Sequence, residues 1–271
     1  MSRSISRLGA LFMASIAVAC GGEAKHPSDA PAHDVPDGGA GKGADAGAPV
    51  PRDCPDPSSD DPALVIDDME DGDAYILAAA GRYGGWWTDG DATTGASMVP
   101  AQWSLSNRLA APELLPEPRC GSLHAMHVTG QGFTDWGAVL GADLVEGTTP
   151  NGDSRVLPYD ASAYQGVEFY ARIGDTSIGT LRYQVSDVNS QPEGGRCTLN
   201  GGTSDGCYDS FGVAINLDTT WRHYKIPFSG LSQQNFGLPA DGVVSNAVYQ
   251  ITFDFPASSV FDFWMDDLKF Y

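Results

Sequence analysis

Two adjacent carboxylates near the end of the chain, Asp266 and Asp267, could bind a cation. From residue 261 to residue 265 the apolar side chains occupy odd positions, the alternation of a β-strand with one apolar face. The next apolar residues, Leu268 and Phe270, occupy even positions, which predicts a β-bulge with one extra residue at the two aspartates. Because neighbouring negative charges repel, either a bound cation or solvent exposure at a strand end must relieve them.

The sequence lacks the signature motifs of two classes of enzyme, jelly-roll glucanases and esterases. Glycoside hydrolysis usually needs two placed carboxylates, and the Glu-x-Asp-x-Glu strand signature of jelly-roll glucanases is absent, since residues 70–73 (EDGD) do not fit it. No Gly-x-Ser-x-Gly elbow of an esterase occurs. The sequence therefore predicts a protein without catalytic residues, and a jelly-roll glycoside hydrolase is a less favoured alternative.

Segments in which apolar and polar residues alternate indicate an all-β fold. Apolar and polar residues alternate in residues 167–172, 181–186 and 249–255, and shorter candidate strands cover residues 63–66, 123–128, 211–217 and 221–227. Turn-rich spacers such as residues 148–153 separate them, and no stretch shows a sustained helical period. We therefore predict an antiparallel β-sandwich of the jelly-roll type over residues 61–271, with aromatic residues on both strand faces.

The N-terminus predicts export and a lipid anchor. Arg3 and Arg7 precede an apolar run that ends in small residues, so residues 1–19 read as a signal peptide. Residues 17–20 (AVAC) resemble a bacterial lipobox, in which the cysteine, here Cys20, becomes the lipidated first residue. An ordinary signal peptide with a nearby cysteine is the alternative. Gly21 follows the cysteine, which by resemblance to enterobacterial lipoproteins favours an outer-membrane lipoprotein facing the periplasm or the cell surface.

Residues 20–60 are predicted to form a disordered tether. They are rich in Gly, Ala, Pro and Asp and contain almost no large apolar side chain. Such a segment cannot bury enough apolar surface to offset the entropy lost on ordering. We expect it to hold the folded domain away from the lipid anchor.

Four cysteines remain for disulfides in an exported chain. Cys197 and Cys207 flank a Gly-rich loop, which a disulfide would close. Cys54 and Cys120 are then left to each other. Since four cysteines allow three pairings, the connectivity stays open. A zinc site is disfavoured because there is no C-x-x-C motif.

The net charge of −20, with only 15 Lys and Arg, excludes nucleic acid as a natural partner, because phosphate binding needs a basic surface. The acidity is compatible with neutral sugars, with cations, or with solubility alone.

Seven short motifs, in this order, resemble family 11 carbohydrate-binding modules, which are galactose-binding-domain-like. They are residues 65–72 (VIDDMEDG), 81–89 (GRYGGWWTD), 132–137 (GFTDWG), 159–169 (YDASAYQGVEF), 220–228 (TWRHYKIPF), 231–237 (LSQQNFG) and 263–268 (FWMDDL). The resemblance implies a non-catalytic β-sandwich that binds a neutral polysaccharide, and we expect it to act as a monomer. An adhesion or structural lipoprotein with a protein partner is the main alternative.

The same resemblance implies a structural calcium ion that joins the first and last strands. Calcium takes six to eight oxygen ligands. The matching positions lie in residues 67–73 and at the C-terminal bulge, where the candidate ligands are Asp68, Glu70, Asp71, Asp266 and Asp267. A solvated acidic turn is the alternative.

A polysaccharide site must supply aromatic rings for the apolar faces of the sugars and polar groups for their hydroxyls. The candidate aromatic residues are Tyr83, Trp86, Trp87, Trp136 and Tyr170, and the candidate polar residues are Asp89, Arg172, Arg182, Gln184 and Gln233. Trp86 and Trp87 are adjacent, so on a strand they face opposite ways and at least one belongs to the core.

Overall fold

The alternating segments form strands in the computed structural model, which describes residues 61–101, 110–148, 154–200 and 203–271. The predicted signal peptide, Cys20, the tether and Cys54 lie outside these residues. The strands of the described part are β1 (Val65–Asp67), β2 (Trp86–Gly90), β3 (Ser97–Val99), β4 (Glu113–Arg119), β5 (Ser122–Gln131), β6 (Ala138–Asp143), β7 (Glu146–Thr148), β8 (Ser154–Val156), β9 (Gly166–Ile173), β10 (Thr180–Asp187), β11 (Thr198–Asn200), β12 (Thr203–Asp205), β13 (Phe211–Asn216), β14 (Arg222–Pro227), β15 (Val248–Phe255) and β16 (Val260–Phe270). The helices of the same part are three 3₁₀ turns, Pro192–Gly194, Phe228–Gly230 and Ser245–Ala247.

Two antiparallel sheets pack face to face, so the predicted β-sandwich is confirmed. The seven-stranded sheet has the order β14-β9-β16-β5-β3, with β1 beside β16 and β4 beside β5. The five-stranded sheet has the order β13-β10-β15-β6-β2. Two-stranded ribbons, β7-β8 and β11-β12, lie outside them. In the described part of the chain, no helix is long and apolar enough to cross a membrane.

Aromatic side chains join the two sheets across the core. Phe253 of the five-stranded sheet lies 5.1 Å from Phe169 and 5.3 Å from Phe263 of the seven-stranded sheet, measured between ring centroids. All three rings are fully buried. These inward positions follow the odd-residue alternation of the sequence, since successive side chains of a strand point to opposite faces.

The predicted bulge at Asp266 and Asp267 is present. The pairing of β16 with β9 shifts register between Asp266 and Lys269, and Asp267 has φ of 51°. The bulge returns the apolar residues to the core, because Met265 before it and Leu268 after it are both fully buried. The first strand, β1, pairs with β16 at this point.

The two predicted disulfides have different outcomes. Cys197 and Cys207 form a disulfide with a Cα–Cα distance of 5.2 Å, which confirms that pairing. Cys120 is also disulfide-bonded, but its predicted partner, Cys54, lies outside the described residues. The second pairing therefore stays a prediction.

Asp67 is a buried carboxyl in the core. Its Oδ2 accepts a hydrogen bond of 2.6 Å from Nε1 of Trp86, and its Oδ1 accepts one of 2.8 Å from the backbone N–H of Met69. Burial raises the pKa of Asp67 from 3.8 to about 7, although both hydrogen bonds oppose the rise. Between these two values the folded state keeps a proton that the unfolded state has released.

The free energy of unfolding is therefore expected to fall as pH rises from about 4 to about 7. The pKa values of Asp254 and Asp266 are also raised, to about 7 and about 6, so Asp67→Asn removes one of several such groups and should make this dependence less steep. The measurement is urea unfolding at several pH values, with the exposed Asp175→Asn as the control that keeps the wild-type slope. A slope unchanged in Asp67→Asn would show that Asp67 does not carry the effect.

Candidate functional site: a groove on the five-stranded sheet

The outward face of the five-stranded sheet carries a regular grid of side chains. Cross-strand pairing places Trp87 of β2 beside Gly141 of β6, Gly141 beside Thr252 of β15, and Thr252 beside Gln184 of β10. A neighbouring row places Asp89 beside Val139, and Val139 beside Asp254. Because side chains two residues apart share a face, these strands present one continuous polar surface.

This surface is the floor of a cavity of about 900 Å³, called the groove below. Aromatic side chains line it from the sheet and from three loops. They are Trp87, Trp136, Tyr208 and Phe236. Trp136, Tyr208 and Phe236 are exposed, so their rings are accessible to a ligand.

Trp87 is held flat against the floor. A Cβ atom added to Gly141 would lie 2.2 Å from Cζ2 of Trp87, so the indole occupies the space that a side chain would fill. The Nε1 of Trp87 donates a hydrogen bond of 2.8 Å to Oδ1 of Asp143, which also accepts one of 2.7 Å from Nε2 of Gln250. Gly141 leaves space for the indole against the sheet, and the hydrogen bond to Asp143 holds the edge of the ring. Trp87 is therefore already positioned as a flat aromatic surface.

Two loops are bound to each other beside the groove. The carboxylate of Asp209 is buried and accepts backbone hydrogen bonds from Gln234, Phe236 and Gly237 at 2.7–3.0 Å. Tyr208 lies between Asp209 and the disulfide at Cys207, and its own N–H donates to the carbonyl of Ser190 at 2.8 Å. These contacts fix Tyr208 and Phe236, two of the three lining aromatic residues that lie outside strands.

The groove is acidic. Its lining carboxylates are Asp89, Asp143, Glu146, Glu193 and Asp254. Burial raises the pKa of Asp89, and it raises the pKa of Asp254 to about 7 even though Thr252, Arg182 and Gln184 lower it. Among the residues that the structure describes, no Lys, Arg or His lines the groove.

Four of the residues predicted from sequence to bind sugar line the groove. They are Trp87, Asp89, Trp136 and Gln184. Arg182 lies next to them on β10, where it interacts electrostatically with Asp254, but its Nη2 donates to the carbonyl of Ser232. The structure brings these residues together on one surface, and ligand binding by them stays a prediction.

Two predicted binding residues that belong to the five-stranded sheet and its loops are corrected by the structure. Trp86 is fully buried and belongs to the core, because on β2 it points opposite to Trp87. Gln233 orders its own loop: its Nε2 donates to the carbonyls of Asp209 and Leu238, and its Oε1 accepts from the N–H of Ala240. Tyr83 is exposed but lies outside the groove.

Tyr170 and Arg172 lie on β9 of the other sheet, away from the groove, so the structure does not bring them together with the four lining residues, and sugar binding by them stays a prediction. The ring of Tyr170 is buried beneath the guanidinium of Arg119, at 4.1 Å from the ring centroid. The guanidinium of Arg172 lies 5.1 Å from the ring of Trp264 and 5.5 Å from that of Trp221. Both side chains therefore pack against the outer face of the seven-stranded sheet.

The C-terminal pair of the predicted calcium ligands is engaged by an arginine. Nε of Arg119 donates to Oδ2 of Asp266 at 2.8 Å, and Nη2 of Arg119 donates to Asp267. Burial raises the pKa of Asp266 to about 6, against the opposing charge of Arg119. Positive charge is thus supplied here by a guanidinium.

The N-terminal predicted ligands are engaged in turns and backbone contacts. Oε1 of Glu70 accepts from Oγ of Ser122 and from the N–H groups of Leu123 and His124. Asp68 and Asp71 accept from backbone N–H groups two residues further on. In the described residues no three His, Cys, Asp or Glu side chains are grouped to hold a metal ion. Asp68, Glu70 and Asp267 nevertheless line one cavity, and Oγ of Ser122 donates to both Glu70 and Asp266. Calcium binding and calcium-dependent melting stay predictions from the sequence.

Several lining residues were missed from the sequence. Gln250 and Asp254 share the polar face of a predicted strand, so the parity of residues 249–255 could have identified them. Tyr208 and Phe236 lie outside strands, where no periodicity marks which side chains converge. Only the fold brings them beside Trp87.

Comparisons with solved structures find carbohydrate-binding modules among the matching chains. The chain is similar to the family 11 carbohydrate-binding module of the cellulosomal cellulase Lic26A-Cel5E of Clostridium thermocellum, with 16% identity, 76% of this chain and 92% of that chain covered, and a TM-score of 0.45. It is also similar to a family 11 module from Clostridium thermocellum in complex with a β-1,3-1,4-mixed-linked tetrasaccharide, at 18% identity, 76% and 94% coverage and a TM-score of 0.43.

A family 30 carbohydrate-binding module is similar at 15% identity, with 69% of this chain and 98% of that chain covered and a TM-score of 0.40. No family model matches the sequence, and no curated protein matches it. The β-sandwich itself is established by the strand pairings and the inter-sheet core described above.

Proposed function

We propose that this chain is a non-catalytic module that binds a neutral polysaccharide in the groove. The observation that carries the proposal is the convergence of four aromatic rings on a floor of carboxylate and amide side chains. A pyranose ring presents an apolar face that stacks on an aromatic side chain, while its hydroxyls need polar partners. Trp87, held flat on the sheet, supplies the central stacking surface, and Trp136 supplies a second one.

The charge of the groove favours uncharged glycans over acidic ones. Its five described lining carboxylates would repel uronate or sulfate groups, and the net charge of −20 adds to this repulsion. A neutral glycan avoids the repulsion and binds by stacking and hydrogen bonds. Its binding should therefore depend little on salt, and its affinity should be modest, on the order of micromolar to millimolar.

Affinity electrophoresis against soluble β-glucans, xylans and galactans tests the proposal. We expect at least one neutral polysaccharide to retard the protein in the gel, with little change on added salt, and we expect no hydrolysis product. Failure of every neutral polysaccharide and of cell-wall material to retard the protein would favour the adhesion or structural alternative. Released oligosaccharide would favour the glycosidase alternative.

We also propose that the module is tethered to the bacterial outer membrane by a lipid on Cys20, as the lipobox-like residues 17–20 predict. Cys20→Ser removes the acceptor sulfur and should move the protein from the membrane fraction to the soluble fraction. Fractionation of cells that express either form, followed by immunoblotting, is the measurement. Equal membrane partitioning of the variant and the wild type would contradict the anchor.

A further inference from the structure

Tyr208 is an exposed aromatic residue whose backbone is anchored on both sides. Its neighbours Cys207 and Asp209 are buried, whereas Tyr208 is 49% exposed and lines the groove. Cys207 is bonded to Cys197, and the N–H of Tyr208 donates a hydrogen bond of 2.8 Å to the carbonyl of Ser190. The chain is therefore held before and after a ring that is open to a ligand.

The backbone of Tyr208 has a conformation that a tyrosine seldom adopts. Its φ is 69°, in the left-handed region that favours glycine and asparagine. Such a conformation persists only where the surrounding structure enforces it, and it is frequent at ligand sites. Here the enforcing contacts are the disulfide at Cys207 and the buried carboxylate of Asp209, which binds the neighbouring loop. The fold thus holds this exposed ring in place against its backbone preference.

The side chain of Tyr208 extends over the floor of the groove. Tyr208 precedes β13, which is one edge of the five-stranded sheet, whereas Asp89 lies on β2, the other edge. Four strand spacings, about 19 Å, separate the two edges along the sheet. Burial and then the charges of Glu193 and Asp89 raise the pKa of Tyr208, and salt screens charges beyond about 8 Å. The hydroxyl of Tyr208 therefore extends toward the strand that carries Trp87.

A sugar stacked on Trp87 has a second face that the floor does not cover. The indole lies flat against Gly141, so it contacts only the face of the sugar that is turned toward the sheet. A ring that extends over the floor can contact the uncovered side and remove more apolar surface from water. We infer that Tyr208 contacts the glycan stacked on Trp87 and that the Cys197–Cys207 disulfide positions this ring. The inference rests on the proposed function and adds to it a binding residue and the element that positions it.

Affinity electrophoresis of Tyr208→Asn, against the neutral polysaccharide that most retards the wild type, tests the contact. Asparagine tolerates a positive φ, so the substitution removes the ring without straining the backbone. We expect at least about a tenfold loss of affinity, with a melting midpoint close to that of the wild type. Tyr208→Gly, which tolerates the same φ, should show the same loss, and Tyr208→Phe, which keeps the ring, should stay within about threefold of the wild type.

Tyr75→Asn is the matched control, because Tyr75 is 53% exposed and lies outside the groove. It should keep wild-type affinity. Wild-type affinity in Tyr208→Asn, or equal losses in Tyr208→Asn and Tyr75→Asn, overturns the inference. If no neutral polysaccharide retards the wild type, the proposed function fails and this inference fails with it. If the wild type and Tyr208→Asn are retarded equally, the inference alone fails.

A double-mutant cycle tests the positioning role of the disulfide. Cys197→Ser combined with Cys207→Ser removes the disulfide and should weaken binding about threefold or more while Tyr208 is present. In the Tyr208→Asn background the same change should cause little further loss, because residues that act through one another have non-additive effects. Losses that add fully in folded variants would overturn the positioning role, since the disulfide would then act on binding independently of Tyr208.

Discussion

Replacement of Arg119 by methionine is expected to lower the free energy of unfolding by about 3–5 kcal/mol. The Arg119 side chain is 5% exposed and bonds both aspartates of the C-terminal bulge, Asp266 and Asp267. Its guanidinium also lies over the ring of Tyr170. Methionine preserves much of the packing volume but leaves two adjacent carboxylates without their cation, and Asp266 has almost no access to water.

Urea unfolding of the wild type and of Arg119→Met measures this loss. Arg222→Met is the matched control, because Arg222 also pairs with an aspartate, Asp218, but at a largely exposed position. We expect the control to lose much less stability, since exposed ion pairs are screened by water. Losses of the same size in both variants would show that burial of the Arg119 cluster does not determine its contribution.

Replacement of Trp86 by alanine is expected to lower the free energy of unfolding by about 3–5 kcal/mol. Its ring is fully buried between the sheets, and its Nε1 donates to the buried Asp67. The substitution leaves a cavity and an unpaired carboxyl. Trp87→Ala is the matched comparison, because the adjacent ring lies on the outer face of the same strand and removing it opens no cavity in the core.

Thermal melting and polysaccharide affinity should be measured for both variants. Trp87→Ala should retain most of the stability and lose retardation by polysaccharide, whereas Trp86→Ala should melt at a much lower temperature. A lower stability for Trp87→Ala than for Trp86→Ala would contradict the placement of the two indoles.

The sequence predicted the strands and the bulge because both follow from the alternation of apolar side chains. It predicted that Trp86 and Trp87 face opposite ways, but parity alone does not say which face is the core. For the same reason, the sequence could not show that Tyr170 and Arg172 lie away from the groove. Their parity identifies an outward face, yet the sheet to which β9 belongs depends on pairing with β14 and β16.

Local sequence patterns could not predict contacts between distant parts of the chain. Arg119 is separated by 147 residues from Asp266, so no spacing rule connects the two. The repulsion between Asp266 and Asp267 was recognised from the sequence, and a cation was expected there. The structure supplies that positive charge from a side chain. Likewise, the loop aromatics Tyr208 and Phe236 lie in irregular segments, where the hydrogen bonds of Asp209 determine their position.

The central claim is that the groove is the polysaccharide site, and two exposed aromatic residues test it most directly. Trp136 lines the groove and is 52% exposed, whereas Tyr83 is 54% exposed and lies outside it. Affinity for the neutral polysaccharide that most retards the wild type should be measured for Trp136→Ala and Tyr83→Ala. The account predicts at least about a tenfold loss for Trp136→Ala and wild-type affinity for Tyr83→Ala. Wild-type affinity in Trp136→Ala together with loss in Tyr83→Ala would contradict it.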